Sequence, residues 1–357
     1  MSKGPADVVR EEVRALKAYH VSPAEGLVKL DAMENPYRLP PELAARMGER
    51  LARVAVNRYP DPAAPRLKQR LREAMSIDSA LDMVLGNGSD EILQIISLAL
   101  ARPGAAVLAP EPSFVMYRLA AIAAGMRYVG VPLRADFTLD EEALLAAIAR
   151  ERPALTWIAY PNNPTGNLFP REAILRVIAA SPGLVVVDEA YYAFSGGASL
   201  LAEVGRHPNL VLVRTVSKLG LAGLRLGLAV GTRDWLGEFE KLRMPYNVNS
   251  LSAAAAEMLL EHREVFERQT AAIVAERARL ERSLDAIARV RRFPSAANFV
   301  LARVPDAPAA FEALKARGIL VRNFHGTHAL LAHCLRLTVG TPDENAQMLE
   351  ALASHLA

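Results

Sequence analysis

From about residue 83 the chain alternates short β-branched runs with stretches of helical period, and this alternation narrows the fold more than any other feature. Strands are expected over 83–85, 106–109, 128–131, 155–159, 184–187, 211–214 and 226–230. Helices are expected between them, over 91–100, 114–124, 140–149 and 171–180, with a long one over about 251–287. The run at 184–187 is Leu-Val-Val-Val, apolar throughout, as in a strand covered on both faces. Strand and helix in alternation predict a mostly parallel, seven-stranded sheet with crossover helices on both faces.

After the long helix the pattern changes. Strands over 299–303, 319–322 and 335–339 and helices over 309–317 and 342–355 predict a smaller α+β unit. The expected organisation is an N-terminal arm at 1–28 that packs with this unit, a large domain at 29–246 and a small one at 247–357. The hinge is expected near Pro245-Tyr246-Asn247. In open α/β sheets ligands collect at the carboxyl ends of the strands, so segments that follow strands are where chemistry is expected.

Composition removes several function classes. The net charge is +3, from 42 basic and 39 acidic residues. The two signs are interleaved, as where Glu264 lies four residues before Arg268, which is a solvated helix face and not a nucleic-acid footprint. The single cysteine, Cys334, allows no intrachain disulfide and fits a reducing compartment. Residues 1–14 are charged and lack an apolar core, and the run 92–101 is too short to span a bilayer, so a cytoplasmic protein without membrane partners is expected. His325, His328 and His333 match no standard zinc spacing, and no metal site is expected.

Four segments that follow strands carry the chemistry. In Arg214-Thr215-Val216-Ser217-Lys218-Leu219-Gly220, a lysine sits in a small, apolar setting where its ammonium form is disfavoured. A neutral amine forms a Schiff base with an aldehyde. Thr215, Ser217 and Arg225 are suited to an adjacent phosphate, so the segment points to pyridoxal 5′-phosphate held at Lys218. Gly86-Asn87-Gly88-Ser89-Asp90-Glu91 is a glycine turn into a helix, a ready phosphate site, although a capped turn is the commoner use of such a string. Tyr160-Pro161-Asn162-Asn163-Pro164-Thr165-Gly166 is a rigid turn that can present the Asn163 amide to a ring oxygen. Val187-Asp188-Glu189-Ala190-Tyr191 places an acid at the end of a buried strand, where it needs a partner such as a pyridinium nitrogen, with the Tyr191 phenol near the ring oxygen. A metal-binding acid after a strand is the rival, but no G-x-x-x-x-G-K-[ST] loop accompanies it.

With these segments in chain order, the sequence resembles the fold-type I pyridoxal-phosphate-dependent aminotransferases nearly end to end. Within them it is most similar to the histidinol-phosphate aminotransferases. The strings that carry this are Lys29-Leu30-Asp31-Ala32-Met33-Glu34-Asn35-Pro36-Tyr37, Asn57-Arg58-Tyr59-Pro60-Asp61-Pro62, Asn87-Gly88-Ser89-Asp90-Glu91 and Cys334-Leu335-Arg336-Leu337-Thr338-Val339-Gly340-Thr341. The resemblance implies Lys218 as Schiff-base lysine and proton shuttle, Asp188 at the ring nitrogen, and Asn163 and Tyr191 at the ring oxygen. It implies Phe114 stacked on the ring, and Ser89, Asp90, Thr215, Ser217 and Arg225 around the phosphate. It implies a homodimer in which Tyr59 reaches the neighbouring cofactor. Arg336 and Arg322 would hold the carboxylate and phosphate of the substrates, with Tyr19 and Asn35 also on the substrate side. The substrates implied are glutamate, 2-oxoglutarate, histidinol phosphate and its keto counterpart. A phosphothreonine decarboxylase, an aromatic amino-acid aminotransferase and a non-catalytic regulator of the same fold are the alternatives. Two departures stand out: Lys218 and Arg225 are one residue closer than is common in the family, and Met33 stands where asparagine is usual.

Overall fold

The computed structural model describes residues 4–18 and 21–357. The first strand, β1 (Val28–Lys29), pairs outside the main sheet. The main sheet holds β2 (Asp82–Asn87), β3 (Ala106–Glu111), β4 (Arg127–Pro132), β5 (Leu155–Ala159), β6 (Leu184–Asp188), β7 (Leu210–Thr215) and β8 (Leu226–Gly231). Its order is β2-β8-β7-β6-β5-β3-β4, with every pairing parallel except those of β8, which runs against both neighbours. All seven expected strands form, each within a few residues of its expected span. Helices cover both faces, and two apolar clusters record this. Leu108, Ile158, Val185, Val187 and Leu212 point to one side, and Val107, Trp157, Val186, Val211 and Val213 to the other.

The consequence of one reversed strand is local. The carboxyl ends of β2, β5, β6 and β7 lie along one edge, and β8, being antiparallel, begins at that same edge. Residues just after four strands and just before a fifth therefore converge.

The second sheet has β9 (Arg291–Arg292), β10 (Phe299–Arg303), β12 (Arg322–Asn323) and β13 (Cys334–Thr338) in the order β12-β13-β10-β9. The strand expected over 319–322 divides. β11 (Ile319–Leu320) pairs in parallel with β1, whereas β12 joins β13. The division follows from partners: β1 is two residues long, and past it the chain turns to the free edge of β13.

The long helix expected over 251–287 is two, Ser250–Leu259 and Arg263–Asp285, joined by a 3-10 turn at Leu260–His262. His262, at φ −109° and ψ 40°, leaves the helical region and ends the first hydrogen-bond ladder. The first helix packs on helices Pro41–Ala52 and Pro65–Met75 beside the large sheet, and the second reaches the small sheet. Of the N-terminal segment, β1 pairs with β11 of the smaller unit. The short helix Glu11–Arg14 instead lies against Met116–Ala123, where the Arg10 guanidinium donates to the Ala123 carbonyl at 2.8 Å. Among the described residues, no helix is long and apolar enough to cross a membrane.

Candidate active site

A cleft with a cavity volume of about 100 Å³ opens at the convergent edge, lined by residues that follow β2, β5, β6 and β7 and by Arg225 before β8. Lys218 stands in the 3-10 turn Ser217–Leu219 directly after β7. Its Nζ donates to the Ala32 carbonyl at 3.2 Å and lies 5.8 Å from the centre of the Tyr191 ring. Burial, and next the Arg336 guanidinium, push its pKa down to about 8. About a tenth of this amine is therefore neutral near pH 7.

Asp188 is the last residue of β6 and is buried. One carboxylate oxygen accepts from the Tyr117 hydroxyl at 2.8 Å and the other from the Ala190 N–H at 3.0 Å. Burial raises its pKa to about 6, the two hydrogen bonds pull the other way, and Asp90 and Glu189 add to the rise. Its surroundings thus supply an O–H, an N–H and two further acids. A cation arriving in the cleft, such as a protonated ring nitrogen, would relieve the burial cost of this carboxylate. That is the observation by which pyridoxal phosphate fits.

Asn163 and Tyr191 meet on the other side of the cleft. The Asn163 amide donates to the Tyr191 hydroxyl at 3.2 Å, and that hydroxyl lies 3.2 Å from the Met33 sulfur. Asn163 also accepts from Arg336 at 2.6 Å. Phe114 borders the cleft and meets Tyr117 edge to face at 5.6 Å, and Tyr117 stacks on Trp157 at 5.0 Å. An aromatic wall thus links Phe114 to the acid.

One end of the cleft is built from backbone and hydroxyls. Ser89 and Asp90 line the cleft and open the helix Ser89–Leu100, whose first N–H groups have no partner within the helix. The Thr215 hydroxyl is 2.9 Å from Ser217 Oγ. Arg225, held in the left-handed region at φ 50°, reaches Asp90 at 3.3 Å. The seven-residue spacing therefore brings Arg225 and Lys218 to one cleft. Gly88 leaves room for this: at φ +84°, a Cβ there would stand 2.6 Å from the Arg225 guanidinium.

Arg336 lies on β13 and is buried, donating to the Asp31 carbonyl at 2.7 Å. Arg322 on β12 pairs directly opposite it in the antiparallel register. Directly opposite residues share a face, and like charges so placed cost free energy that a bound anion recovers. Asn35 stands further out. Its amide donates to the Leu219 carbonyl at 3.0 Å and to Gln269 at 2.9 Å. Tyr59 is 81% exposed and stacks on Tyr246 at 4.5 Å, away from the cleft of its own chain. Tyr19 lies outside the described residues. No group of three or more histidine, cysteine or acidic side chains that could hold a metal occurs among the described residues.

Sequence reasoning missed two residues here. Tyr117 belongs to no motif, and its signal was only its place three residues after Phe114 on an expected helix. The Met33 sulfur was read as a departure without a role. Its backbone sits at φ 54°, where its N–H donates to Thr338 at 3.1 Å and its carbonyl accepts from Asn298 at 2.9 Å.

The family model described as aminotransferase class I and II matches residues 25–352. Histidinol-phosphate aminotransferase of Chromobacterium violaceum is 55% identical over 345 residues, 97% of each chain. Histidinol-phosphate aminotransferase 1 of Burkholderia lata is 54% identical over 349 residues, 98% of each. Among solved structures, histidinol-phosphate aminotransferase from Sinorhizobium meliloti in complex with pyridoxal-5′-phosphate superposes with a TM-score of 0.88. It is 26% identical, with 98% of this chain and 97% of that one covered.

Proposed function

Because the chain belongs to the aminotransferase class I and II family, we propose that it exchanges an amino group between two substrate pairs, with pyridoxal 5′-phosphate as cofactor. One pair is glutamate and 2-oxoglutarate, and the other is histidinol phosphate and imidazole acetol phosphate. The observation that carries the substrate choice is the register that sets Arg322 opposite Arg336 on one face. Glutamate offers an α-carboxylate. Histidinol phosphate lacks one and offers a phosphate instead, so one arginine pair serves both half-reactions. Similarity above half identity to relatives of that name supports the same choice.

When bound, the cofactor supplies a cationic ring that accepts electron density from the substrate carbon. Asp188 would hold the proton on the ring nitrogen. Asn163 and Tyr191 would offer donors to the ring oxygen, and Phe114 would lie against the ring. The helix start at Ser89 and Asp90, with Thr215, Ser217 and Arg225, would hold the phosphate. Lys218 Nζ would take the proton from the amino-bearing carbon of the substrate, hold it, and give it back on completion of the transfer. A depressed amine pKa supports that task, since the base must be neutral to accept a proton. Asn35 fixes the Leu219 carbonyl beside Lys218, and with Tyr19 belongs to the substrate side of this reading.

The active form in this reading is a cytoplasmic homodimer in which Tyr59 reaches the phosphate of the neighbouring site. The exposure of Tyr59 and Tyr246 supports it. Its division is an arm at 1–28, a cofactor-binding domain at 29–246 and a second domain at 247–357. Single-turnover amino transfer from histidinol phosphate, phenylalanine, phosphothreonine and glutamate to the purified holoenzyme tests the function. Preference for histidinol phosphate and glutamate is the expected result. Equal rates with phenylalanine, or carbon dioxide release from phosphothreonine, would refute it.

A further inference from the structure

Each cofactor-facing residue on β6 and β7 has a chain neighbour that points away from the cleft, and these neighbours meet in one buried cluster. Glu189 follows Asp188, and Arg214 precedes Thr215. Their side chains are 0% and 2% exposed and lie 2.8 Å apart. Arg214 donates to Glu189 through both Nε, at 3.0 Å, and Nη2, at 2.8 Å. Its Nη1 donates to the Met75 carbonyl at 2.9 Å, which ties it to the end of helix Pro65–Met75. Tyr192, the neighbour of Tyr191, lies over the guanidinium at 4.1 Å. The second Glu189 oxygen accepts from the Leu200 N–H at 2.6 Å and the Ser199 hydroxyl at 2.9 Å.

Such a pair is a poor device for stability alone, because apolar residues of similar volume often hold a fold as well or better. What it supplies is a fixed geometry: two guanidinium N–H groups converge on one Glu189 oxygen, span β6 and β7, and set one strand end against the other. We propose that Arg214 and Glu189 are positioning residues that hold the acid at Asp188 in register with the phosphate cup at Thr215 and Ser217. The proposal rests on the cofactor reading given above. It assigns the pair no contact with cofactor or substrate; it acts through the residues next to it in the chain.

A ligand that must satisfy acid and cup together feels this register, whereas one that lacks the phosphate does not. The test compares pyridoxal 5′-phosphate with pyridoxal, bound to apoenzyme prepared from purified holoenzyme. The variant is Arg214→Met with Glu189→Leu, and Glu189→Gln alone serves as a second variant that keeps volume and one acceptor oxygen. Thermal midpoints of the apo forms are measured alongside. The expected result is that the affinity ratio of pyridoxal 5′-phosphate to pyridoxal falls by about tenfold or more in the double variant. A smaller fall in the same direction is expected in Glu189→Gln. An unchanged ratio in either variant that folds, whatever its thermal midpoint, overturns the proposal. Wild-type enzyme that takes up neither ligand overturns the cofactor reading and this proposal with it, which separates the two failures.

Discussion

In the cofactor-free enzyme Lys218 should titrate near 8, against 10.5 for a solvated lysine. Burial supplies most of the difference and the Arg336 guanidinium the next part. At about pH 7.5 roughly a quarter of Lys218 is then the neutral amine, whereas a solvated lysine is neutral in about one molecule per thousand. Only the neutral amine attacks an aldehyde, so capture of the cofactor should run on the order of a hundred times faster than at an exposed lysine. Arg336→Met removes the second cause and should move the midpoint upward, slowing capture near pH 7.5 by about threefold to tenfold. Stopped-flow absorbance of cofactor uptake between about pH 6.5 and 10, with pyridoxal as the phosphate-free control, reads both effects. A wild-type midpoint near 10, or no upward movement in Arg336→Met, would refute the reasoning.

Four further outcomes follow from the same site. Stability of the cofactor-free fold should rise by about 3 kcal/mol as pH increases from about 8 to 10.5, because below that window the buried ammonium carries its full penalty; denaturant titrations of wild type and Lys218→Met, which should lack the rise, check it. Asp188 gives the opposite slope: its carboxyl is raised from 3.8 to about 6, so stability should fall by about 3 kcal/mol as pH rises through that window, and Asp188→Asn should flatten it. Gly88→Ala places a methyl 2.6 Å from Arg225 at φ +84°, and should cost about 1–3 kcal/mol in denaturant unfolding and weaken cofactor affinity. Arg322→Met should raise KM for histidinol phosphate by about tenfold to a hundredfold, seen in steady-state kinetics against a fixed 2-oxoglutarate concentration.

The central strands of the large sheet were legible because they are apolar runs buried on both faces, so their composition states their place. The site was legible for a related reason. Chemistry at a strand end leaves a short local string, as at Asp188 and at Lys218. What local strings cannot carry is cross-chain geometry. The Arg322–Arg336 opposition depends on how β12 meets β13, and nothing within either strand states that register. Tyr117 reaches Asp188 across 71 residues of sequence, and Met33 reaches Tyr191 across 158. Helices Pro41–Ala52, Pro65–Met75 and Arg233–Glu240 also went unread; in two of them a narrow buried stripe is set among charged residues. The antiparallel run of β8 was not read either, since one strand's direction is a property of its connections.

The central claim is a covalent site at one nitrogen. Borohydride reduction of the purified holoenzyme, followed by peptide mapping, tests it most directly. The reduced cofactor is expected on the peptide that contains Lys218, and Lys218→Ala should carry none. A label on any other lysine, or no label at all, would contradict the account.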